Sequence, residues 1–230
     1  MISKDSRILI TGGTGFLGSA VTRLFKSRGY TNVMPVRKKG GGYDLTKEQE
    51  VMELYSNLKP DIVIHLAAVV GGIGANKKNP ATFYFNNIMM GTLMLQYAKT
   101  FKISKFVAIG TICAYPSETP VPFKEGDLWN GYPEETNAPY GLAKKMMLVQ
   151  SQALRQEHGL NSIYLLPVNL YGPGDHFDPE TSHVIPGLIR KCVEAKKQNL
   201  PSITCWGTGR ATREFLYVED AADAILRSTE

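Results

Sequence analysis

A tyrosine and a lysine stand four residues apart in the segment PYGLAKKM, as Tyr140 and Lys144. On a helix, side chains at i and i+4 share one face, so this spacing brings a phenol beside an ammonium group. A free phenol has a pKa of about 10, and a nearby positive charge lowers that pKa by stabilising the phenolate. Such a pair can exchange a proton with a carbonyl or an alcohol while a cofactor exchanges hydride. Thr111, directly after the apolar run KFVAIG, can donate a hydrogen bond to the same carbonyl oxygen.

A cysteine follows two residues later, in GTICAYP. Free cysteines often pack as small apolar residues, and Cys113 can be interpreted in that way. On an extended chain, however, Cys113 and Thr111 point to the same side, so the thiol could act on the molecule that Thr111 contacts. Both interpretations stay open on the residues alone.

A glycine pattern, GxxGxxG, lies in TGGTGFLGSAV between an apolar run and a helical stretch. Glycine allows positive φ angles and lets backbone N–H groups approach a pyrophosphate, and the start of the following helix adds its positive dipole end. The alternative is a tight strand–helix turn without a ligand. The position directly after the first strand favours a dinucleotide site. Its predicted cofactor-binding residues are Gly12, Gly15, Phe16, Leu17 and Gly18.

The second strand ends in a basic turn, NVMPVRKKGGGYD. An acidic residue at this point would bind the 2′-hydroxyl of NAD, whereas a cation favours the additional phosphate of NADP. We therefore predict that Arg37, helped by Lys38 or Lys39, selects NADP(H). The alternative is a solvated basic turn. Asp44 and Leu45 are predicted to flank the adenine.

Strands and helices alternate along the chain, which predicts an α/β fold with a doubly wound, Rossmann-like parallel sheet. The continuous apolar character of the strands suits burial on both faces. Expected strands are 7–11, 32–36, 61–67, 105–110, 162–168 and a short one in SITCWG, and expected helices are roughly 16–28, 47–58, 80–101, 140–158 and GLIRKCVEAKKQ. We expect a cofactor-binding domain over 1–168 and a smaller substrate-binding lobe over 169–230, incomplete at its end and partly returning to the main sheet.

Composition limits the classes of partner. The formal net charge is +5, but the basic residues are scattered, so a small anionic substrate is favoured over nucleic acid. The apolar runs are too short to span a bilayer, the first residues lack a signal-peptide layout, and the three cysteines lack metal-site spacing. No carboxylate–histidine cluster indicates a metal. We expect a cytoplasmic protein that binds neither membrane nor nucleic acid.

The combination of these motifs resembles the extended short-chain dehydrogenase/reductase family, which binds NAD(P) and acts largely on nucleotide sugars. The segments HLAAVVGGIGANKKNPATFYFNNI, PVNLYGPGDHF, SHVIPGLIRK and WGTGRATREFLYVED are similar to its members that epimerise and then reduce GDP-linked 4-keto-6-deoxy sugars. The resemblance runs from residue 7 to residue 230. It implies an NADPH-dependent enzyme and a homodimer formed by two helices that flank the sheet.

Site residues follow from that resemblance. It implies that Thr111, Tyr140 and Lys144 serve hydride transfer and that Cys113 and His183 form the acid–base pair for epimerisation. It also implies four residues that line the sugar nucleotide, namely Asn169, Lys191, Trp206 and Arg213. Relatives often have arginine at Lys191, so the paired hydrogen bonds of a guanidinium are missing there.

Two other functions stay open. One is a 4,6-dehydratase or a simple 4-epimerase on the same scaffold. A dehydratase typically needs an Asp–Glu pair where Ile112 and Cys113 stand, and a 4-epimerase needs no thiol. The other is a non-catalytic NADP-binding protein, against which the complete set of Thr111, Tyr140 and Lys144 argues.

Overall fold

The structure is a computed structural model, and it describes residues 2–37, 42–179, 181–205 and 207–230. Strands and helices alternate through most of these residues. In chain order they are β1 (Ile8–Thr11), α1 (Phe16–Ser27), β2 (Val33–Val36), α2 (Glu48–Leu58), β3 (Ile62–His65), α3 (Ile73–Lys78), α4 (Pro80–Thr100), β4 (Lys105–Ile109), α5 (Ala138–His158), β5 (Ser162–Leu165), β6 (Asn169–Tyr171), α6 (Val184–Lys197), β7 (Phe215–Tyr217) and α7 (Val218–Thr229). Two short 3₁₀ turns, Ile112–Ala114 and Glu125–Trp129, lie between β4 and α5.

Five strands form one parallel sheet in the order β2-β1-β3-β4-β5. β2 lies on one side of β1, and β3, β4 and β5 lie on the other side. The order of the strands therefore reverses between β1 and β3, which opens a crevice at the carboxyl ends of these strands. Thr11 aligns with Val36 on one side and with His65 on the other. The glycine turn, Arg37 and the loop after β3 therefore lie at the same edge of the sheet.

Alternate residues of the strands enter two separate apolar cores. Leu9, Val63 and Phe106 pack with side chains from α2, α4 and α5. Ile8, Ile64 and their neighbours pack on the opposite face with α1 and α7. Both faces of the sheet are thus covered, which suits the mainly apolar strands. The predicted doubly wound α/β fold is confirmed.

The last part of the chain adds a second, two-stranded parallel sheet in which β6 pairs with β7. α7 follows β7 directly and packs against α1 and β4. The division of the chain at residue 168 stays a prediction.

Some predicted boundaries differ from the structure. β5 ends at Leu165 and not at 168, because Pro167 has no N–H group with which to continue a ladder. No strand forms at 202–205, where most side chains are exposed. α5 begins at Ala138, with Pro139 in its first turn, where the missing N–H group is tolerated. α3 and β6 were not predicted.

Within the described ranges, no helix combines the length and the apolar character needed to cross a bilayer.

Candidate active site

Glycines in the turn between β1 and α1 and in the first turn of α1 leave no room for a side chain. Gly12 has a φ angle of +69°, and a Cβ atom there would lie 2.9 Å from the backbone nitrogen of Ala67. A Cβ atom on Gly18 would lie 2.0 Å from the carbonyl oxygen of Gly12. α1 begins after Gly15 without a side-chain cap, which suits an anion at the first N–H groups of the helix. This glycine cradle, formed by the turn from Gly12 to Gly15 and the start of α1, has no side-chain cap that would compete with the pyrophosphate of a dinucleotide.

The predicted neighbours of the cradle have different surroundings. Phe16 and Leu17 pack their side chains against the core, so only their backbone is available to a phosphate. Arg37 is exposed and directly follows β2 at the edge where the glycine turn leaves the sheet. Lys38 and Lys39 lie outside the described residues.

Asp44 and Leu45 build the entry to α2. One carboxylate oxygen of Asp44 accepts hydrogen bonds from the backbone nitrogen and the hydroxyl of Thr46, at 3.1 and 2.7 Å. The backbone nitrogen of Asp44 donates to Glu50 at 2.6 Å. Leu45 is buried in the core beside α2. Contacts of Asp44 and Leu45 with an adenine stay a prediction.

The predicted hydride-transfer residues meet at the ends of β4 and α5. Thr111 follows β4, and Tyr140 and Lys144 lie on the first turns of α5 with 9% and 3% of their surfaces exposed. The hydroxyl of Thr111 lies close enough to the phenol of Tyr140 to lower its pKa. Gly141 lies on the backbone of Cys113, since a Cβ atom on Gly141 would be 2.3 Å from the carbonyl oxygen of Cys113. The structure therefore brings these four predicted side chains to one place.

The backbone that places Cys113 differs from the expected extended chain. Thr111 is extended, but Ile112–Ala114 forms a 3₁₀ turn. The hydroxyl of Thr111 accepts a hydrogen bond from the backbone nitrogen of Cys113 at 3.2 Å, which caps this turn. The prediction of an extended chain from Thr111 to Cys113 is therefore wrong. The thiol nevertheless lies close enough to affect the phenol of Tyr140 electrostatically.

Burial has the largest effect on the pKa values of Tyr140 and Lys144. It raises the pKa of the Tyr140 phenol well above its ordinary value, the nearby Cys113 adds to the rise, and the nearby hydroxyl of Thr111 opposes it. An ammonium and an oxidised nicotinamide beside the phenol are predicted to lower this pKa, and burial acts in the opposite direction. Burial also lowers the pKa of Lys144 to about 7. The phenol is therefore protonated at neutral pH, which is the form that donates a proton.

Two residues near this site were not singled out from the sequence. His65, at the end of β3, is buried and its Nδ1 lies 2.8 Å from the hydroxyl of Thr11. Burial, followed by the charge of Lys144, lowers the pKa of His65 to about 3, so the ring is neutral. Tyr164 on β5 donates a hydrogen bond to the carbonyl of Lys144 at 2.9 Å. In the sequence, the one feature that could have pointed to Tyr164 is its hydroxyl group, which is unusual within the apolar run SIYLLPV.

His183 is exposed and directly precedes α6. The residues before it touch the glycine loop that precedes α3. The backbone nitrogen of Gly72 donates to the carbonyl of Thr181 at 3.3 Å, and a Cβ atom on Gly72 would lie 2.9 Å from the carbonyl oxygen of Ser182. The pairing of His183 with Cys113 stays a prediction.

The predicted sugar-nucleotide residues lie on the segments around α6 and the small sheet. Asn169 donates its amide to the carbonyl of Glu214 at 3.1 Å, which joins β6 to the chain before β7. The Nζ of Lys191 donates a hydrogen bond to the carbonyl of Thr204, in the loop after α6, at 2.8 Å. Arg213 is exposed, and Trp206 lies outside the described residues. Their contacts with a ligand stay predictions.

In the described part of the chain, no group of three or more His, Cys, Asp or Glu side chains is placed to hold a metal ion.

Comparisons with known proteins show which family the chain belongs to. The model of the NAD dependent epimerase/dehydratase family matches residues 8–230. GDP-L-fucose synthase 1 of Arabidopsis thaliana is 40% identical over 226 residues, which make up 98% of this chain and 69% of that protein. GDP-L-fucose synthase of Escherichia coli K12 is 36% identical over 227 residues, or 99% of this chain and 70% of that protein.

A solved structure extends the comparison to three dimensions. The crystal structure of a GDP-L-fucose synthetase from Naegleria fowleri bound to NADP superposes with a TM-score of 0.85 at 31% identity, covering 98% of this chain and 73% of that one. The glycine cradle, the parallel sheet and the Thr111, Tyr140 and Lys144 set together lead to one conclusion: the chain belongs to the NAD dependent epimerase/dehydratase family and has the extended short-chain dehydrogenase/reductase fold.

Proposed function

We propose that this protein converts GDP-4-keto-6-deoxy-D-mannose to GDP-L-fucose by 3,5-epimerisation followed by NADPH-dependent reduction of the 4-keto group. The observation that carries the proposal is the buried contact between Thr111 and Tyr140, with Lys144 and Cys113 beside it. A protein that only bound NADP would not need a proton donor, a lysine and a thiol together at the end of β4.

The cofactor proposed here is NADP(H), which supplies hydride when bound. Gly12, Gly15 and Gly18 keep side chains away from the start of α1, so that its first backbone N–H groups can face the pyrophosphate. Arg37, exposed at the end of β2, is suited to pair with the phosphate that distinguishes NADP from NAD. Lys144 is suited to hold the nicotinamide ribose.

Reduction of the ketone requires a proton on its oxygen. Tyr140 donates this proton, since burial keeps its phenol protonated at neutral pH. Thr111 donates a hydrogen bond to the same oxygen and so fixes the carbonyl beside the phenol. The phenolate that remains is stabilised by the ammonium form of Lys144. Charge is therefore balanced within the set of three residues.

Epimerisation requires removal and return of protons on the two carbons that flank the ketone. These C–H bonds are acidic because the resulting enolate is delocalised onto the carbonyl oxygen. At each carbon, a base takes the proton from one face and an acid returns a proton to the opposite face. Cys113 and His183 come from different segments of the chain and are therefore suited to opposite faces of the sugar, since a thiolate and an imidazole can each act as a base.

Recognition of the GDP-sugar is assigned to Asn169, Lys191, Trp206 and Arg213. Lys191 and Arg213 bring positive charge to the diphosphate, which accounts for part of the net charge of +5. Lys191 supplies one charge without the forked hydrogen bonds of arginine, so we expect its contribution to be modest.

We also propose that the protein is a cytoplasmic homodimer. Large apolar side chains are exposed on the paired helices α4 and α5, among them Phe85 at 57% and Val149 at 43%. Burial of these faces against a second copy would form a four-helix contact. The three cysteines Cys113, Cys192 and Cys205 are free, as suits a reducing compartment.

One assay tests the proposed activity against its alternatives. NADPH absorbance is followed with GDP-4-keto-6-deoxy-D-mannose, and the product is identified by NMR. We expect one NADPH oxidised for each GDP-L-fucose formed. A simple 4-epimerase would consume no NADPH, a dehydratase would act on the sugar before the ketone exists, and a non-catalytic protein would bind NADPH without turnover.

A further inference from the structure

Tyr164 bridges the two elements that carry the catalytic side chains. Its hydroxyl donates a hydrogen bond to the backbone carbonyl of Lys144 on α5, at 2.9 Å. Its ring lies against Gly110, where a Cβ atom would be 2.3 Å from both Cζ and Oη of the phenol. Gly110 directly precedes Thr111. One phenol therefore contacts the end of β4 and the catalytic turn of α5.

Both ends of this bridge are fixed to backbone. The carbonyl of Lys144 belongs to a helix, and the backbone nitrogen of Gly110 donates to the carbonyl of Leu165 on β5 at 2.7 Å. Burial raises the pKa of the Tyr164 phenol well above its ordinary value, and the neighbouring Tyr140 and Tyr115 add to the rise. Only a protonated phenol can donate, so the hydrogen bond persists throughout the working pH range.

We propose that Tyr164 is a positioning residue, which holds Thr111 and Tyr140 at their working distance by joining α5 to the end of β4. It touches no reacting atom. The kinetic part of the proposal rests on the proposed function, because proton and hydride transfer depend steeply on geometry. A displacement of about 1 Å can lower the rate of such a step about a hundredfold.

The test compares Tyr164→Phe with a matched control, Tyr55→Phe. Tyr55 is also buried, and its hydroxyl also donates to the backbone carbonyl of a helical residue, Met94, at 2.7 Å. Each substitution removes one hydroxyl group, and with it one hydrogen bond to the backbone carbonyl of a helix. We expect Tyr164→Phe to lower kcat for reduction about tenfold and to raise the isotope effect with 4-deuterated NADPH, while KM for NADPH stays within about twofold. Tyr55→Phe should reduce stability and leave all three values unchanged.

A second measurement follows the protonation of Lys144 when neither substrate nor cofactor is present. NMR of the protein with ¹³C-labelled lysine and no added ligand follows the titration of Lys144, assigned with Lys144→Met. Burial lowers the pKa of Lys144 to about 7, and a loosened α5 would admit water. The titration midpoint should therefore rise in Tyr164→Phe and stay in place in Tyr55→Phe.

The two measurements separate failure of this proposal from failure of the proposed function. If the wild-type protein is active, an unchanged kcat and isotope effect in Tyr164→Phe would overturn the positioning role. If the wild-type protein reduces no 4-keto sugar nucleotide, the proposed function fails. The titration of Lys144 then tests the positioning role of Tyr164 by itself. Equal midpoints in wild type and Tyr164→Phe would then overturn the role of Tyr164.

Discussion

The carbonyl oxygen of Cys113 lies directly against Gly141: a Cβ atom on Gly141 would be 2.3 Å from that oxygen and 2.9 Å from its carbon. Cys113 belongs to the turn after β4, and Gly141 follows Tyr140 on α5. We therefore expect this contact to set how closely the phenol of Tyr140 approaches Thr111. Backbone atoms occupy the space, so no rotamer change can make room for a side chain.

Gly141→Ala should consequently push α5 away from the end of β4. We expect a stability loss of about 1–3 kcal/mol from overpacking. Reduction should also slow by about tenfold or more, because the proton donor is displaced. Gly126→Ala is the matched control, since a Cβ atom on Gly126 meets nothing within 4 Å. Urea unfolding and NADPH oxidation measure the two effects. Normal activity in Gly141→Ala would show that the contact does not set the catalytic distance.

Lys144 should destabilise the protein in a pH-dependent way when no cofactor is added. Its pKa in the folded state is about 7, against an ordinary value of 10.5. Between these values the unfolded chain binds more protons, so the stability of the wild type rises with pH across this window. Below pH 7 both states are protonated, and the full penalty of the buried charge is present. A difference of one between the folded and unfolded pKa corresponds to about 1.4 kcal/mol.

Lys144→Met removes that penalty. We expect the variant to be more stable than wild type by several kcal/mol near neutral pH, with the difference shrinking toward pH 10.5. Its affinity for NADPH should fall, because the ammonium can no longer reach the nicotinamide ribose. Urea unfolding across the pH range measures the first effect and calorimetric titration of NADPH the second. A stability difference that did not vary with pH would contradict the lowered pKa of Lys144.

Arg37 should determine the choice between NADPH and NADH. A charge-assisted hydrogen bond to phosphate contributes about 1.5–3 kcal/mol, or tenfold or more in affinity. Arg37→Asp should weaken NADPH binding by at least that factor and NADH binding far less. Lys26→Asp makes a charge change of the same size in the last turn of α1 and should alter neither affinity. Equal binding of both cofactors by the wild-type protein would rule out this role.

The parts of the site that could be predicted are those with local sequence rules. Gly12 and Gly18 follow from the steric demands of a strand–helix turn, and Tyr140 and Lys144 follow from helical spacing. Thr111 follows from its place at the end of an apolar strand. Each of these rules needs only a few neighbouring residues, and the sheet order then brings the segments to one edge.

The parts that were missed depend on contacts between distant segments. Tyr164 is one residue of an apolar run until the fold places its ring on Gly110 and its hydroxyl on Lys144. The backbone at Cys113 was mispredicted because the hydroxyl of Thr111 caps a 3₁₀ turn in place of an extended chain. The burial that raises the pKa of Tyr140 was also missed, because desolvation depends on how many atoms surround the phenol, which spacing does not reveal.

The remaining prediction concerns Cys113 as an acid–base group for epimerisation. Cys113→Ser keeps the shape of the side chain and replaces a thiol by a hydroxyl that hardly ionises. Epimerisation should fall by orders of magnitude. Reduction need not fall equally, because Thr111, Tyr140 and Lys144 remain in place. The variant should therefore release an unepimerised GDP-6-deoxy-D-sugar or accumulate unreacted ketone. His183→Asn should also separate the two reactions, after inversion of only one carbon.

Deuterium exchange measures this step without interference from reduction. Tyr140→Phe is used as the background, since it lacks the proton donor for the ketone and should still bind NADPH. In heavy water we expect this single variant to incorporate deuterium at C3 and C5 of the sugar. Addition of Cys113→Ser should suppress the exchange, whereas Cys192→Ser, which replaces an exposed thiol on α6, should leave it unchanged. Normal exchange at both carbons in the Cys113→Ser, Tyr140→Phe double variant would restrict Cys113 to packing beside Gly141.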